Sequence, residues 1–109
     1  MKNLKLRSSQ WVVDEENNII IGHGRAKILE TIERTGSINQ TAKAMKMSYK
    51  AVWGKIKATE KHLKKTIVHT DRRDGSRLST EGKELLEKYR LLKSKCISED
   101  DHIFKSIFK

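Results

Sequence analysis

The chain has 109 residues, 36% hydrophobic and 35% charged, with no proline, six glycines and one cysteine. That length holds one domain with one modest core, the composition is too apolar for a disordered chain, and a lone Cys96 excludes an intrachain disulfide and a CxxC zinc site. Lys and Arg give a net charge of +10, and residues 43–77, with eleven basic and three acidic side chains, carry +8 of it, which is either the footprint of a polyanionic partner or a solvated lysine-rich surface.

In chain order, Leu4 and Leu6 share one face of an alternating stretch, and Trp11 and Val13 fall on the other phase, with a slip near Ser8–Ser9. Asp14 to Asn18 is a turn cluster and Ile19–Ile21 a β-branched run, so residues 3–21 are predicted to form a β-hairpin. From Gly22 the apolar period becomes helical, with Ile28, Leu29 and Ile32 as a core stripe, and Gly36 suits a helix C-terminus. Ser37 is placed to cap a second helix, with Gln40 three residues on completing a capping box, and Ile38, Ala42 and Met45 facing inward. After a tight corner at Lys46–Met47, Ser48 caps a third helix buried through Val52, Ile56 and Leu63. Residues 22–63 thus form a three-helix unit.

Residues 66–79 read as a short hairpin turning at DRRDGS, with Gly75 able to take positive φ. Thr80 is expected to cap a long helix with Glu81 and Glu84 in its first turn, carrying the stripe Leu85, Leu86, Tyr89, Leu92 and Cys96. Ser98 and Asp101 can open a last short helix bearing Ile103, Phe104, Ile107 and Phe108. The sum is a mainly α fold with small β-hairpins: one winged helix-turn-helix domain over 1–109, with an N-terminal strand pair and C-terminal helices over 80–109. The stripe on the long helix is wide enough to join two copies, or to fold back on the N-terminal hairpin of its own chain; the width favours the homodimer.

B-DNA's major groove admits one α-helix, held outward by a partner helix that crosses the backbone. Small Ala42 and Ala44 allow that crossing, while Met45 and Met47 fill the corner. On the third helix the outward stripe is expected to hold Tyr49, Lys50, Trp53, Gly54 and Lys57, with Lys50 and Lys57 reaching bases or phosphates. Trp53 either stacks into the groove or packs back on the scaffold, its large area favouring the second; Tyr49 has the same two options. Ser37, Gln40 and Ser48, at helix starts, are positioned for phosphates. Arg72, Arg73 and Arg77 form a cationic wing tip suited to the backbone or a narrow minor groove, unless Asp71 and Asp74 pair with them. The predicted partner is double-stranded DNA; the alternatives are a non-specific nucleic-acid-binding module and a winged-helix protein-interaction domain.

His23, His62, His69 and His102 are scattered, and neither metal-ligand spacing nor a Gly-rich phosphate loop occurs. The expectation is a non-enzyme without metal or cofactor. Without an apolar leader or span, it is expected to be soluble and cytoplasmic.

The stretch Gly36-Ser37-Ile38, Ala42 and Met47-Ser48-Tyr49-Lys50-Ala51-Val52-Trp53, with Leu78-Ser79-Thr80-Glu81-Gly82 after the wing, resembles the N-terminal DNA-binding domain of ModE-type molybdate-responsive regulators. Outside the Ser-Tyr-Lys segment the pattern is shared with LysR-type winged helices. The resemblance implies a homodimer through the long helix and recognition by the helix opening at Ser48. The wing is shorter than that family's glycine-rich one, and the family's C-terminal oxyanion-binding domains have no counterpart in these 109 residues. The expectation is therefore a stand-alone regulator with no molybdate site and no small-molecule ligand.

Overall fold

The structure, a computed structural model, describes residues 3–109; the first two residues of the expected 1–109 domain lie outside the described residues. The elements are β1 (Val12–Val13), β2 (Ile19–Ile21), α1 (His23–Thr35), α2 (Ile38–Met45), α3 (Tyr49–Leu63), β3 (Val68–Asp71), β4 (Gly75–Leu78) and α4 (Thr80–Ile107). Together they make a winged helix-turn-helix. β1 and β2 form one antiparallel pair and β3 and β4 another, so neither hairpin joins a larger sheet. One core unites them, built from Ile21, Ile28, Ile32, Ile38, Val52, Ile56, Ile67 and Leu86, all buried.

Local chemistry sets most boundaries. Gly36 ends α1 at φ 69°, donating its N–H to the Ile32 carbonyl. Ser37 and Ser48 are the N-caps of α2 and α3, their hydroxyls accepting from the amides of Gln40 and Ala51 at 3.1 and 3.0 Å; such caps are worth about 1 kcal/mol each. The corner between these helices is turned by Lys46 at φ 55°, a left-handed conformation that costs a non-glycine residue energy. A buried polar knot holds β2, α1 and α3 together. In it Thr59 Oγ1 donates to the Ile20 carbonyl at 2.7 Å, and the Arg25 guanidinium donates both to Thr59 Oγ1 and to the Ile19 carbonyl.

Five local expectations are corrected. Residues 3–11 do not extend the first hairpin: the register pairs Val12 with Ile21 and Val13 with Ile19, with the irregularity there and not at Ser8–Ser9. β2 runs out of partners because Gly22 is already the N-cap of α1, so Leu4, Leu6 and Trp11 stay exposed. The capping box at α2 is half formed, since the amide of Ser37 pairs with Thr35 Oγ1 rather than with the Gln40 side chain. Leu63 is half-buried at the edge of the core rather than inside it. The cap of α4 is Ser79, not Thr80: its hydroxyl accepts from the Gly82 amide at 2.9 Å and donates to the Thr66 carbonyl at 2.6 Å. Finally, no separate helix begins at Ser98. α4 is continuous for 28 residues, because nothing between Lys83 and Ile107 is glycine or proline and two capping side chains alone do not break a helix.

At 1.5 Å per residue α4 is about 42 Å long, and only its start is covered. Gly82, Leu86 and Tyr89 are buried, and Tyr89 Oη donates to the Gln10 carbonyl at 2.8 Å, so this first part does pack on the N-terminal segment. Beyond it, Leu91, Leu92, Ile103, Ile107 and Phe108 are exposed.

Candidate nucleic-acid interface

The surface in question is assembled from α3, the start of α2 and the β3–β4 wing. Successive helical residues turn by about 100°, so Lys50, Gly54 and Lys61 lie within about 20° of the direction opposite Val52. Val52 is fully buried and all three opposite residues are exposed. This outermost stripe differs in part from the expected one. Tyr49, Trp53 and Glu60 are instead about 60–100° round from Val52, on the flank of the helix. Tyr49 is exposed and Trp53 half-buried against the core edge, their rings stacked at 6.4 Å and 15°. Trp53 therefore takes the scaffold position, with Tyr49 lying over it.

Lys57 is on the boundary between flank and stripe. Its ammonium sits 4.4 Å from the centre of the Trp53 ring and 3.0 Å from Glu60 Oε1, so it is drawn along its own helix. The second carboxylate oxygen of Glu60 accepts from the amides of Ile67 and Val68 at 2.8 and 3.2 Å. Burial alone would raise the Glu60 pKa, but these amides and Lys57 outweigh it and hold the carboxyl below its ordinary value. One side chain thus ties α3 to the root of the wing.

The turn end of the wing is tied to the junction of α1 and α2. The Ser76 amide donates to the Gly36 carbonyl at 2.8 Å, which sets β4 beside Ser37. Ser37 is half-buried and Gln40 exposed at this end of α2. Neither α2 nor α3 has an acidic residue in its first turn, so the partial positive charge of each N-terminus is uncompensated. At the tip, Asp71 Oδ1 accepts from the amides of Arg73 and Asp74; it shapes the turn instead of neutralising arginine. Arg72, Arg73 and Arg77 are exposed, and among the described residues no ion pair engages them.

Of the ten residues expected at a site, the structure places Lys50 on the outer face of α3 and Ser48 exposed at its N-cap, and sets Tyr49, Trp53 and Lys57 as a stack on its flank. Ser37 and Gln40 stand at the start of α2, beside the turn end of the wing. Arg72, Arg73 and Arg77 stand on the wing itself. Lys61 is missing from that reading although it continues the Lys50–Gly54 stripe; carrying the helical period two turns further finds it. Lys64 and Lys65 prolong the positive charge past the end of the helix.

A short helix, a left-handed corner, an outward cationic helix and an anchored basic hairpin define a winged helix-turn-helix protein. Residues 24–83, from α1 to the first turn of α4, match the bacterial regulatory helix-turn-helix proteins of the lysR family. The chain belongs to that family. It is similar to the transcriptional regulator ModE of Haemophilus influenzae, 33% identical over 68% of this chain and 31% of that protein. It is also similar to the molybdenum transport protein ModE of Azotobacter vinelandii, 43% identical over 40% of this chain and 16% of that protein. The matched stretch therefore spans less than a third of either relative. No helix among the described residues is long and apolar enough to cross a membrane.

Proposed function

We propose that this chain binds double-stranded DNA sequence-specifically and regulates transcription, as a cytoplasmic, non-enzymatic protein. The observation that carries this reading is the exposed stripe of Lys50, Gly54 and Lys61 on α3, flanked by a wing whose three arginines have no acidic partner among the described residues. In this reading α3 enters the major groove. Lys50 reaches base edges or phosphates, and Ser48 and the open amides of the first turn take a phosphate. Ser37 and Gln40 contact the backbone where α2 crosses it, and Arg72, Arg73 and Arg77 follow the neighbouring strand or minor groove. Tyr49, Trp53 and Lys57 brace the groove-facing surface from its flank.

A homodimer through α4 completes the reading. Leu91 and Leu92 are 59% and 41% exposed on a helix that outruns its own domain, and the two-fold pairing of such helices would place two α3 helices about 34 Å apart, one turn of B-DNA. The likeness to the transcriptional regulator ModE of Haemophilus influenzae supports a regulatory role. The test is to select preferred duplexes from a random pool and measure affinity by fluorescence anisotropy. The selected site should bind about a thousandfold tighter than random duplex at physiological salt; equal affinity for all duplexes would instead favour a non-specific nucleic-acid-binding module, and no binding a protein-interaction domain.

A further inference from the structure

Between the N-terminal segment, the start of α1 and the middle of α4 lies a cavity of about 210 Å³, apart from the surface described above. Arg7, Ser8, Ser9, Gln10, His23 and Lys93 line it, with Tyr89 behind them, and no acidic side chain does. We infer that this cavity is a binding site for a small multivalent anion of the carboxylate or phosphate type.

Three features point to that ligand. The first is charge: two fixed cations, Arg7 and Lys93, and one titratable ring converge on a single cavity. Lys93 Nζ lies 3.0 Å from His23 Nδ1, so two nitrogen bases meet at one edge of the cavity. Basic groups held face to face are stabilised by an anion that accepts from both. The nearest carboxylate across the adjoining groove, Glu30, is already paired with Arg90 at 2.9 Å.

The second feature is the supply of neutral donors. Among the described residues the hydroxyls of Ser8 and Ser9 make no hydrogen bond, and His23 is the first residue of α1, whose N-cap Gly22 offers no side chain to the first-turn amides. The third is Gln10: its backbone carbonyl is fixed by Tyr89, and its Oε1, buried behind the cavity wall, has no hydrogen-bond partner among the described residues. An unpaired buried polar atom is costly, so the wall beside the cavity holds unspent hydrogen-bonding capacity. The size suits a metabolite acid and is too enclosed for a duplex. Its residues come from three separate segments, so no local motif marks it.

An anion seated here would fasten residues 7–10 to α4 at the level where that helix leaves the domain, and so act as an effector. The inference stands independently of DNA binding. The test is an amide chemical-shift titration of the full chain with malonate and, separately, with inorganic phosphate. The expected result is a saturable shift at Ser8–Gln10, His23 and Lys93 with at least one of them; whichever saturates identifies the anion type. Lys93→Met and Gln10→Glu should each weaken it by about tenfold or more, as loss of a charge-assisted hydrogen bond or addition of a like charge does. Lys61→Met, on the DNA face, should leave it unchanged. Non-saturable shifts with both probes, shifts no larger here than around Lys61–Lys65, or unchanged affinity in a folded Lys93→Met protein would overturn the inference. Thermal melting of each variant confirms folding.

Discussion

Gly36 and Gly75 lie against each other, both in left-handed conformation at φ 69° and 76°, with the Ser76 amide donating to the Gly36 carbonyl at 2.8 Å. A Cβ on Gly75 would collide with that carbonyl oxygen. This contact fixes the wing beside the start of α2, so wing and helix-turn-helix meet a partner as one surface.

Gly75→Ala should therefore destabilise the protein by about 2 kcal/mol, combining a strained φ with a backbone clash. Chemical denaturation measures it. The same variant should bind DNA more weakly at temperatures where it remains folded, because the wing tip is displaced.

Gly54 is the opposite case. Nothing stands within 4 Å of a Cβ built there and its φ is helical, so Gly54→Ala should stabilise the fold by about 0.5–1 kcal/mol. With α3 in the major groove as proposed, the added methyl would point at the duplex. Denaturation should show a gain in stability and anisotropy a loss of affinity; a gain in both would mean that α3 does not approach DNA closely at this turn.

Lysines on α3 should not be equivalent. Lys50→Ala and Lys61→Ala should each reduce the slope of log affinity against log salt by about 1. Lys57→Ala should change it less, because that ammonium is held by Glu60 and the Trp53 ring. Salt titrations of the three variants separate these outcomes.

Glu60 predicts an acid sensitivity. Its pKa is lowered on folding despite the opposing effect of burial, so it contributes stability above the ordinary glutamate range, and that contribution is lost as pH falls through its folded value. Stability should decline on acidification below the ordinary glutamate value. Glu60→Gln should be less stable at neutral pH and show a shallower decline, read from denaturation midpoints across pH.

The dimer reading is tested by Leu91→Asp with Leu92→Asp. Both side chains are exposed in the single chain, so the pair should leave the fold intact by circular dichroism and melting. Sedimentation should shift from dimer to monomer.

How far this fold and surface could be read from residues alone follows from where each interaction is made. Gly36, Ser37, Ser48 and Gly75 act on neighbours within a few positions, and their roles are legible in the chain itself. The choice of Ser79 over Thr80 as a cap is not, since two adjacent hydroxyls are equivalent until the Thr66 carbonyl, brought there by the wing, selects one. Alternation over residues 3–11 suggests a strand, but a strand needs a partner, and β2 ends after three residues. On α3 the cationic face was legible as a period. The capture of Lys57 was not, because Glu60 is itself fixed by amides of β3. Lys61 is legible as the next exposed position of that same period.

The central claim is that the outer face of α3 reads DNA. The most direct measurement is anisotropy of the full chain and of Lys50→Ala on a duplex selected from a random pool, each compared with random duplex at the same physiological salt. The account predicts about a thousandfold preference for the selected duplex, and for the variant a clear loss of affinity on that duplex while it stays folded. Equal binding to both duplexes, or an unaltered Lys50→Ala variant, would contradict it.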